Sequence, residues 1–122
     1  MVRALFDTNI LIDQLNSVPA ARVELARYRD KAISIMTWME VLMGAKPGAE
    51  AVTRAFLDRR FHIIGLTEEV AERAVELRKQ FRLRLPDAVI WASAQVHAML
   101  LVTRNTKDFP PGDPGIRMPY RI

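Results

Sequence analysis

The chain has 122 residues and a formal net charge of +4, and 50% of its residues are hydrophobic while 26% are charged. This length suits one domain, and this balance is that of a folded protein with a hydrophobic core, which excludes a disordered chain. Because the sequence has no cysteine, disulfides and thiolate chemistry are excluded, and any metal must bind to oxygen or imidazole. We therefore expect one domain over residues 1–122.

The sequence also bears on location and partners. No apolar run reaches the roughly 20 residues that cross a bilayer, and Met1-Val2-Arg3 leads directly into a predicted strand. We therefore expect no membrane association and no signal peptide, and a cytoplasmic protein. The net positive charge favours a polyanionic partner such as nucleic acid, although many basic proteins bind none.

Apolar strands alternate with helices along the chain. In chain order, the pattern predicts strands at residues 2–6, 32–36, 61–66, 99–103 and 117–120. The helices between them are predicted at residues 9–15, 19–29, 37–44 and 49–58, from Thr67 to about Phe81, and from Pro86 to about Val96. Strands of this kind are buried on both faces of a parallel sheet. The predicted fold class is α/β, a three-layer α/β/α sandwich.

Acidic residues fall at one edge of this predicted sheet. Asp7 directly follows the first strand, and Asp108 follows the strand that ends at Thr103. Glu40 and Asp87 are predicted in the first turns of their helices, Glu40 with Thr37 as N-cap. In right-handed crossovers the carboxyl ends of strands and the N-termini of helices share an edge. We therefore expect these carboxylates to lie close together.

Each acid also has a structural explanation. Thr37 and Glu40 have the spacing of a capping box, and Asp87 would complement its helix dipole by about 0.3 to 1 kcal/mol. Asp7 and Asp108 are common turn residues. However, like charges about 4 Å apart repel by roughly 4 kcal/mol at an effective dielectric near 20, so a cluster requires a cation. Oxygen ligands suit Mg²⁺ or Mn²⁺, which support phosphodiester hydrolysis without a protein nucleophile.

Four segments in register resemble the motifs of PIN domains: DTNILID at 7–13, SIMTWME at 34–40, LPDAVI at 85–90 and TRNTKDF at 103–109. The length and the stand-alone domain are similar to those of VapC-type toxins of toxin–antitoxin pairs. The resemblance implies a five-stranded, mostly parallel sheet and an endoribonuclease that depends on Mg²⁺ or Mn²⁺. It further implies a homodimer that a small antitoxin inhibits.

The same motifs assign roles to residues. The resemblance implies that Asp7 and Asp87 are the principal metal ligands and that Glu40 and Asp108 complete the acidic set. Four polar residues would orient ligands or water: Thr8, Asn9, Thr103 and Asn105. Many relatives carry an acid where Asn105 stands, so either Asp108 takes that role or the site works with three carboxylates. Trp91 replaces a commonly small residue and is predicted to pack in the core or at a dimer interface.

Basic residues flank two of these motifs. Four are candidates for contacts to RNA phosphates, and they fit solvated surface equally well: Arg82, Arg84, Arg104 and Lys107.

Two other functions remain open. One is a receiver-like signalling domain with a phosphorylated Asp, although Asp7 lacks the acidic neighbour that such a domain requires. The other is a catalytically silent PIN domain that binds RNA or a partner, which the neutral Asn105 leaves possible.

Overall fold

The computed structural model describes residues 2–122, and these form one five-stranded sheet with helices on both faces. The strands are β1 (Ala4–Phe6), β2 (Lys31–Ser34), β3 (His62–Ile64), β4 (Leu100–Val102) and β5 (Ile116–Arg117). The helices are α1 (Thr8–Leu15), α2 (Pro19–Ala26), α3 (Ile35–Met43), α4 (Glu50–Arg60), α5 (Glu68–Phe81) and α6 (Leu85–Val96). The predicted α/β/α sandwich is confirmed. The predicted domain bounds 1–122 begin at Met1, which lies outside the described residues.

The strand order explains where a ligand can bind. The sheet runs β3-β2-β1-β4-β5, and all four strand pairs are parallel. From β1 the chain moves outward to β2 and β3, and then crosses to β4 on the other side of β1. In open α/β sheets such a reversal leaves a crevice at the carboxyl ends of the two central strands. That crevice lies between the ends of β1 and β4.

Alternation along β1 divides the core into two layers, because successive side chains of a strand point to opposite faces. Leu5 packs into the layer beneath α5 and α6, whereas Ala4 and Phe6 pack into the layer beneath α1 to α4. All three side chains are fully buried. This burial on both faces accounts for the continuously apolar strand in the sequence.

Several boundaries differ from the sequence prediction. Ser34, not Thr37, is the N-cap of α3, because the Ser34 hydroxyl accepts from the amide of Met36 at 3.1 Å. The strand predicted at residues 32–36 therefore ends at Ser34, and the helix starts two residues before Thr37. The capping box between Thr37 and Glu40 was wrong, and Glu40 lies in the second turn. The last strand is β5 (Ile116–Arg117) and not residues 117–120.

Among residues 2–122, no helix combines the length and the apolar character needed to span a membrane.

Candidate functional site

Asp7 lies at the crevice between the ends of β1 and β4, where it is the N-cap of α1 directly after β1. Its carboxylate accepts hydrogen bonds from the amide of Thr8 and from the hydroxyl of Thr103, each at 2.7 Å. Asn9 adds a longer contact of 3.4 Å to Oδ2. Because Asp7 is only 4% exposed, these donors fix a nearly buried carboxylate at the carboxyl ends of β1 and β4.

Glu40 reaches the same place from α3. The Thr8 hydroxyl donates to Glu40 Oε1 at 2.7 Å and lies 3.0 Å from the hydroxyl oxygen of Thr37. Thr37 is fully buried inside α3 and thus joins this contact, which replaces its predicted capping role. Thr8 therefore links α1 to α3 and sets the direction of the Glu40 carboxylate.

Asp87 approaches from α6, where it lies in the first turn as predicted. It is 6% exposed, and the Nη2 atom of Arg84 lies 3.4 Å from its Oδ2. The N-terminus of α6 carries the positive end of the helix dipole, which favours a carboxylate here.

These side chains surround an open cleft of about 290 Å³. Nine residues from the ends of β1 and β4 and from three helices line it: Asp7, Thr8, Asn9, Ile12, Glu40, Arg84, Asp87, Arg104 and Asn105. Asp108 is not among the residues that line the cleft, although Asn105, which lines it, donates from Nδ2 to Asp108 Oδ2 at 3.0 Å. The cleft thus gathers three of the four predicted carboxylates directly.

The electrostatics of the cleft oppose the ionised form of its acids. Burial, reinforced by the charges of Asp87 and Glu40, raises the pKa of Asp7 to about 6 in spite of its hydrogen bonds. Burial also raises the pKa of Asp87, and the charges of Asp108 and Glu40 contribute, while Arg84 counteracts them. Asp108 therefore acts on Asp87 through its field although it is set back from the cleft. A cation in the cleft would offset this repulsion.

The donor set fits a partly hydrated cation. Among residues 2–122, no three Asp, Glu or His side chains form a group arranged to hold a metal ion by themselves. Mg²⁺ commonly binds through only one or two carboxylates and takes its other ligands from water and substrate phosphate. Asp7 and Asp87, buried and facing one cleft with Glu40, match that mode of binding.

The four basic candidates separate into two pairs. Arg84 and Arg104 line the cleft. Lys107 is exposed outside it, and Arg82 ends α5 in the left-handed conformation with φ of 56°. The cleft is therefore lined by two basic residues, one at the start of α6 and one just after β4.

One part of the site was missed from the sequence. Asp13 on α1 is 4% exposed and accepts two hydrogen bonds from the guanidinium of Arg104 and one from the hydroxyl of Tyr120. A signal for it existed, because Asp13 follows the buried Ile10 by three residues and so falls on the buried face of α1. A charged residue on such a face requires a partner.

Comparisons with known proteins agree with this architecture. A model of the PIN domain family matches residues 4–110. The chain is 31% identical over 114 residues to Ribonuclease VapC10 of Mycobacterium tuberculosis, an alignment that covers 87% of this chain and 85% of the relative. It is 50% identical to a chain in a toxin–antitoxin complex from Klebsiella pneumoniae, with a TM-score of 0.92 over 98% of this chain and 99% of the other. FitAcB from Neisseria gonorrhoeae, at 22% identity and a TM-score of 0.80 over 98% and 99% of the two chains, shares the fold.

Proposed function

The chain belongs to the PIN domain family, and we propose that it is a metal-dependent endoribonuclease that acts as the toxin of a toxin–antitoxin pair. The observation that carries this proposal is the cleft at the carboxyl ends of β1 and β4, where Asp7, Glu40 and Asp87 meet from the starts or turns of three different helices. The ribonuclease and the toxin–antitoxin complex to which the chain is similar support it.

Different residues of the cleft have different proposed roles. Asp7 and Asp87 would hold Mg²⁺ or Mn²⁺, with Glu40 as a further ligand and Asp108 adding negative charge from outside the cleft. Thr8, Asn9 and Thr103 hold the Asp7 and Glu40 carboxylates in position. A cation held there would supply Lewis acidity toward the phosphodiester and toward the attacking water.

Asn105 organises the loop and supplies no charge. Its side-chain oxygen accepts from the amides of Lys107 and Asp108, and its amide donates to the Asp108 carboxylate. In this role Asn105 places the charge of Asp108 near Asp87, which supports a site that works with Asp108 in the acidic set.

The test is an RNA cleavage assay with the wild type and Asp87→Asn, each with Mg²⁺, with Mn²⁺ and with EDTA. We expect cleavage by the wild type that requires metal, and a loss of about 100-fold or more in Asp87→Asn with an unchanged circular dichroism spectrum. Asp58→Asn, at an exposed acid on α4 outside the cleft, is the control and retains activity. Equal cleavage by the wild type and Asp87→Asn would overturn the proposal.

The same assay bears on the other two functions. A catalytically silent PIN domain would bind RNA without cleaving it, and its binding would survive Asp7→Asn. A receiver-like domain would gain a stable phosphoryl mass at an Asp after incubation with acetyl phosphate and Mg²⁺. Membership of the PIN domain family argues against the receiver.

A small antitoxin protein and a second copy of the chain are the proposed protein partners, and the cytoplasm, where RNA is abundant, is the proposed location. Helices α2, α3 and α4 expose apolar side chains suited to such contacts, with Val23, Met43 and Val52 exposed by 66%, 85% and 74%.

Expression in a bacterial host is expected to arrest growth, and Asp87→Asn is expected to relieve the arrest. Analytical ultracentrifugation of Asp87→Asn protein is expected to give the mass of a dimer, and a monomer at all concentrations would contradict the homodimer.

A further inference from the structure

We infer that Asp13 and Tyr120 are positioning residues that hold the Arg104 guanidinium on the rim of the cleft, where it binds a phosphate of the RNA substrate. This inference rests on the proposed nuclease function and names a means of substrate binding at the same site.

The contacts between these three side chains are short and directional. Arg104 Nε donates to Asp13 Oδ2 at 2.6 Å, and Arg104 Nη2 donates to Oδ1 at 3.1 Å. Tyr120 donates its hydroxyl hydrogen to Oδ2 at 2.8 Å. Both oxygens of the buried carboxylate are therefore satisfied, and the plane of the guanidinium is fixed.

This geometry leaves part of Arg104 available to a ligand. A guanidinium carries five N–H groups, and Asp13 engages only two of them. The side chain of Arg104 is 34% exposed, and the residue lines the cleft together with Asp7 and Asp87. The remaining N–H groups on Nη1 and Nη2 form an edge that matches two oxygens of a phosphate.

Holding the guanidinium has two consequences for binding. An arginine loses rotamer entropy when it becomes ordered, and Asp13 imposes that order before the substrate arrives. The ion pair with Asp13 also restrains Arg104 from swinging onto the carboxylates of Asp7 and Asp87. Those carboxylates therefore remain free to bind a cation, while the positive charge of Arg104 stays beside them.

The chain contains a matched network away from the cleft. Glu24 on α2 is 3% exposed, accepts two hydrogen bonds from Arg117 at 2.7 and 3.0 Å, and accepts one from the hydroxyl of Tyr28 at 2.8 Å. The chemistry is the same, but none of these residues lines the cleft. Changes in the two networks therefore cost similar stability and separate structural effects from effects on substrate binding.

The test measures affinity for a fluorescein-labelled single-stranded RNA of mixed sequence by fluorescence anisotropy in EDTA, and then KM and kcat for cleavage in Mn²⁺. We expect Tyr120→Phe to weaken RNA binding by about 3-fold and Asp13→Asn by about 10-fold, each raising KM with kcat within about twofold. Tyr28→Phe, the matched control, leaves affinity, KM and kcat unchanged.

The sign of the Asp13→Asn effect is diagnostic. If Asp13 acted only as a negative charge near an anionic ligand, its removal would tighten RNA binding, whereas loss of positioning weakens it. In an Arg104→Ala background, both Asp13→Asn and Tyr120→Phe are expected to have no further effect, because they act through that guanidinium.

Any one of three results with the variants would overturn the inference: tighter or unchanged RNA binding by Asp13→Asn, equal effects of Tyr120→Phe and Tyr28→Phe, or undiminished effects in the Arg104→Ala background. If Asp13→Asn does not fold, Tyr120→Phe decides alone. The absence of any RNA binding by the wild type also overturns it. If the wild type binds RNA but never cleaves it, the proposed nuclease activity is wrong. If the wild type cleaves RNA but Tyr120→Phe behaves like its control Tyr28→Phe, only the positioning role is wrong.

Discussion

At the scale of single residues, the cleft shows how a buried carboxylate is kept at a cost to stability. Asp7 follows β1 and caps α1, so the same side chain that begins a helix also faces the cleft. Burial raises its pKa to about 6, which means that ionised Asp7 destabilises the metal-free fold at neutral pH. In the proposed metal site, this loss of stability would maintain a negative charge that attracts the cation.

We predict that Asp7→Asn stabilises the metal-free protein. Asparagine caps helices as well as aspartate does and carries no charge to desolvate. Because the native pKa of Asp7 is raised, the folded state binds more protons than the unfolded state between about pH 4 and pH 6. The contribution of Asp7 to wild-type stability therefore falls as pH rises through this window, and the variant gains about 1 to 3 kcal/mol relative to the wild type above pH 6. Urea unfolding in EDTA at pH 4, 5, 6 and 7 measures this gain.

The control is Asp30→Asn, since Asp30 is an exposed carboxylate. Its effect is expected to stay within about 0.5 kcal/mol at every pH. A gain in Asp7→Asn that is as large at pH 4 as at pH 7 would show that desolvation of the ionised carboxylate is not its cause.

At the scale of elements, sequence patterns located every strand and helix but not every boundary. Thr67 caps α5 as predicted, because its hydroxyl accepts from the amide of Val70 at 3.2 Å. Thr37 also offered a capping hydroxyl followed by an acid three residues later, yet the helix begins earlier. Ser34 captures the amide of Met36 first, and local pattern alone does not decide between two competing caps.

We predict that Ser34→Ala lowers the free energy of unfolding by about 1 to 2 kcal/mol, because the amide of Met36 loses its partner beside a fully buried side chain. Thr67→Ala removes a comparable cap from α5 and is expected to cost about 1 kcal/mol. Both values are measured by urea unfolding. An unchanged stability in Ser34→Ala would show that this cap does not stabilise the start of α3.

At the scale of the whole molecule, contacts between residues far apart in sequence determine those parts of the site that sequence patterns did not predict. The motifs supplied three carboxylates of the cleft, because each stands next to a predicted element boundary. Asp13 and Arg104 are 91 residues apart, and Glu24 and Arg117 are 93 residues apart, so no local pattern pairs them. The position of Asp108 also depends on a loop conformation in which the Asn105 side chain hydrogen-bonds both its carboxylate and its backbone amide.

The structure decides between the two packing roles, core or dimer interface, that the sequence left open for Trp91. It is 1% exposed within the single chain and contacts Phe81 and Phe109, with ring centroids 5.0 and 5.9 Å apart. Trp91 is therefore a core residue, and Phe109 connects it to the loop that carries Asp108.

We predict that Trp91→Ala destabilises the fold by about 3 to 5 kcal/mol, because it opens a cavity between α6, α5 and this loop. Trp38→Ala, at a half-buried tryptophan on α3, is the control and is expected to cost less. Thermal unfolding followed at several protein concentrations checks both. A loss that grew with dilution would indicate an interface role for Trp91 instead.

The short edges of the sheet have a consequence for association. The outer strands β3 and β5 have only three and two residues, so they present few free backbone groups on which another chain could extend the sheet. Partners are therefore expected to contact side chains displayed on the helices rather than to extend the sheet.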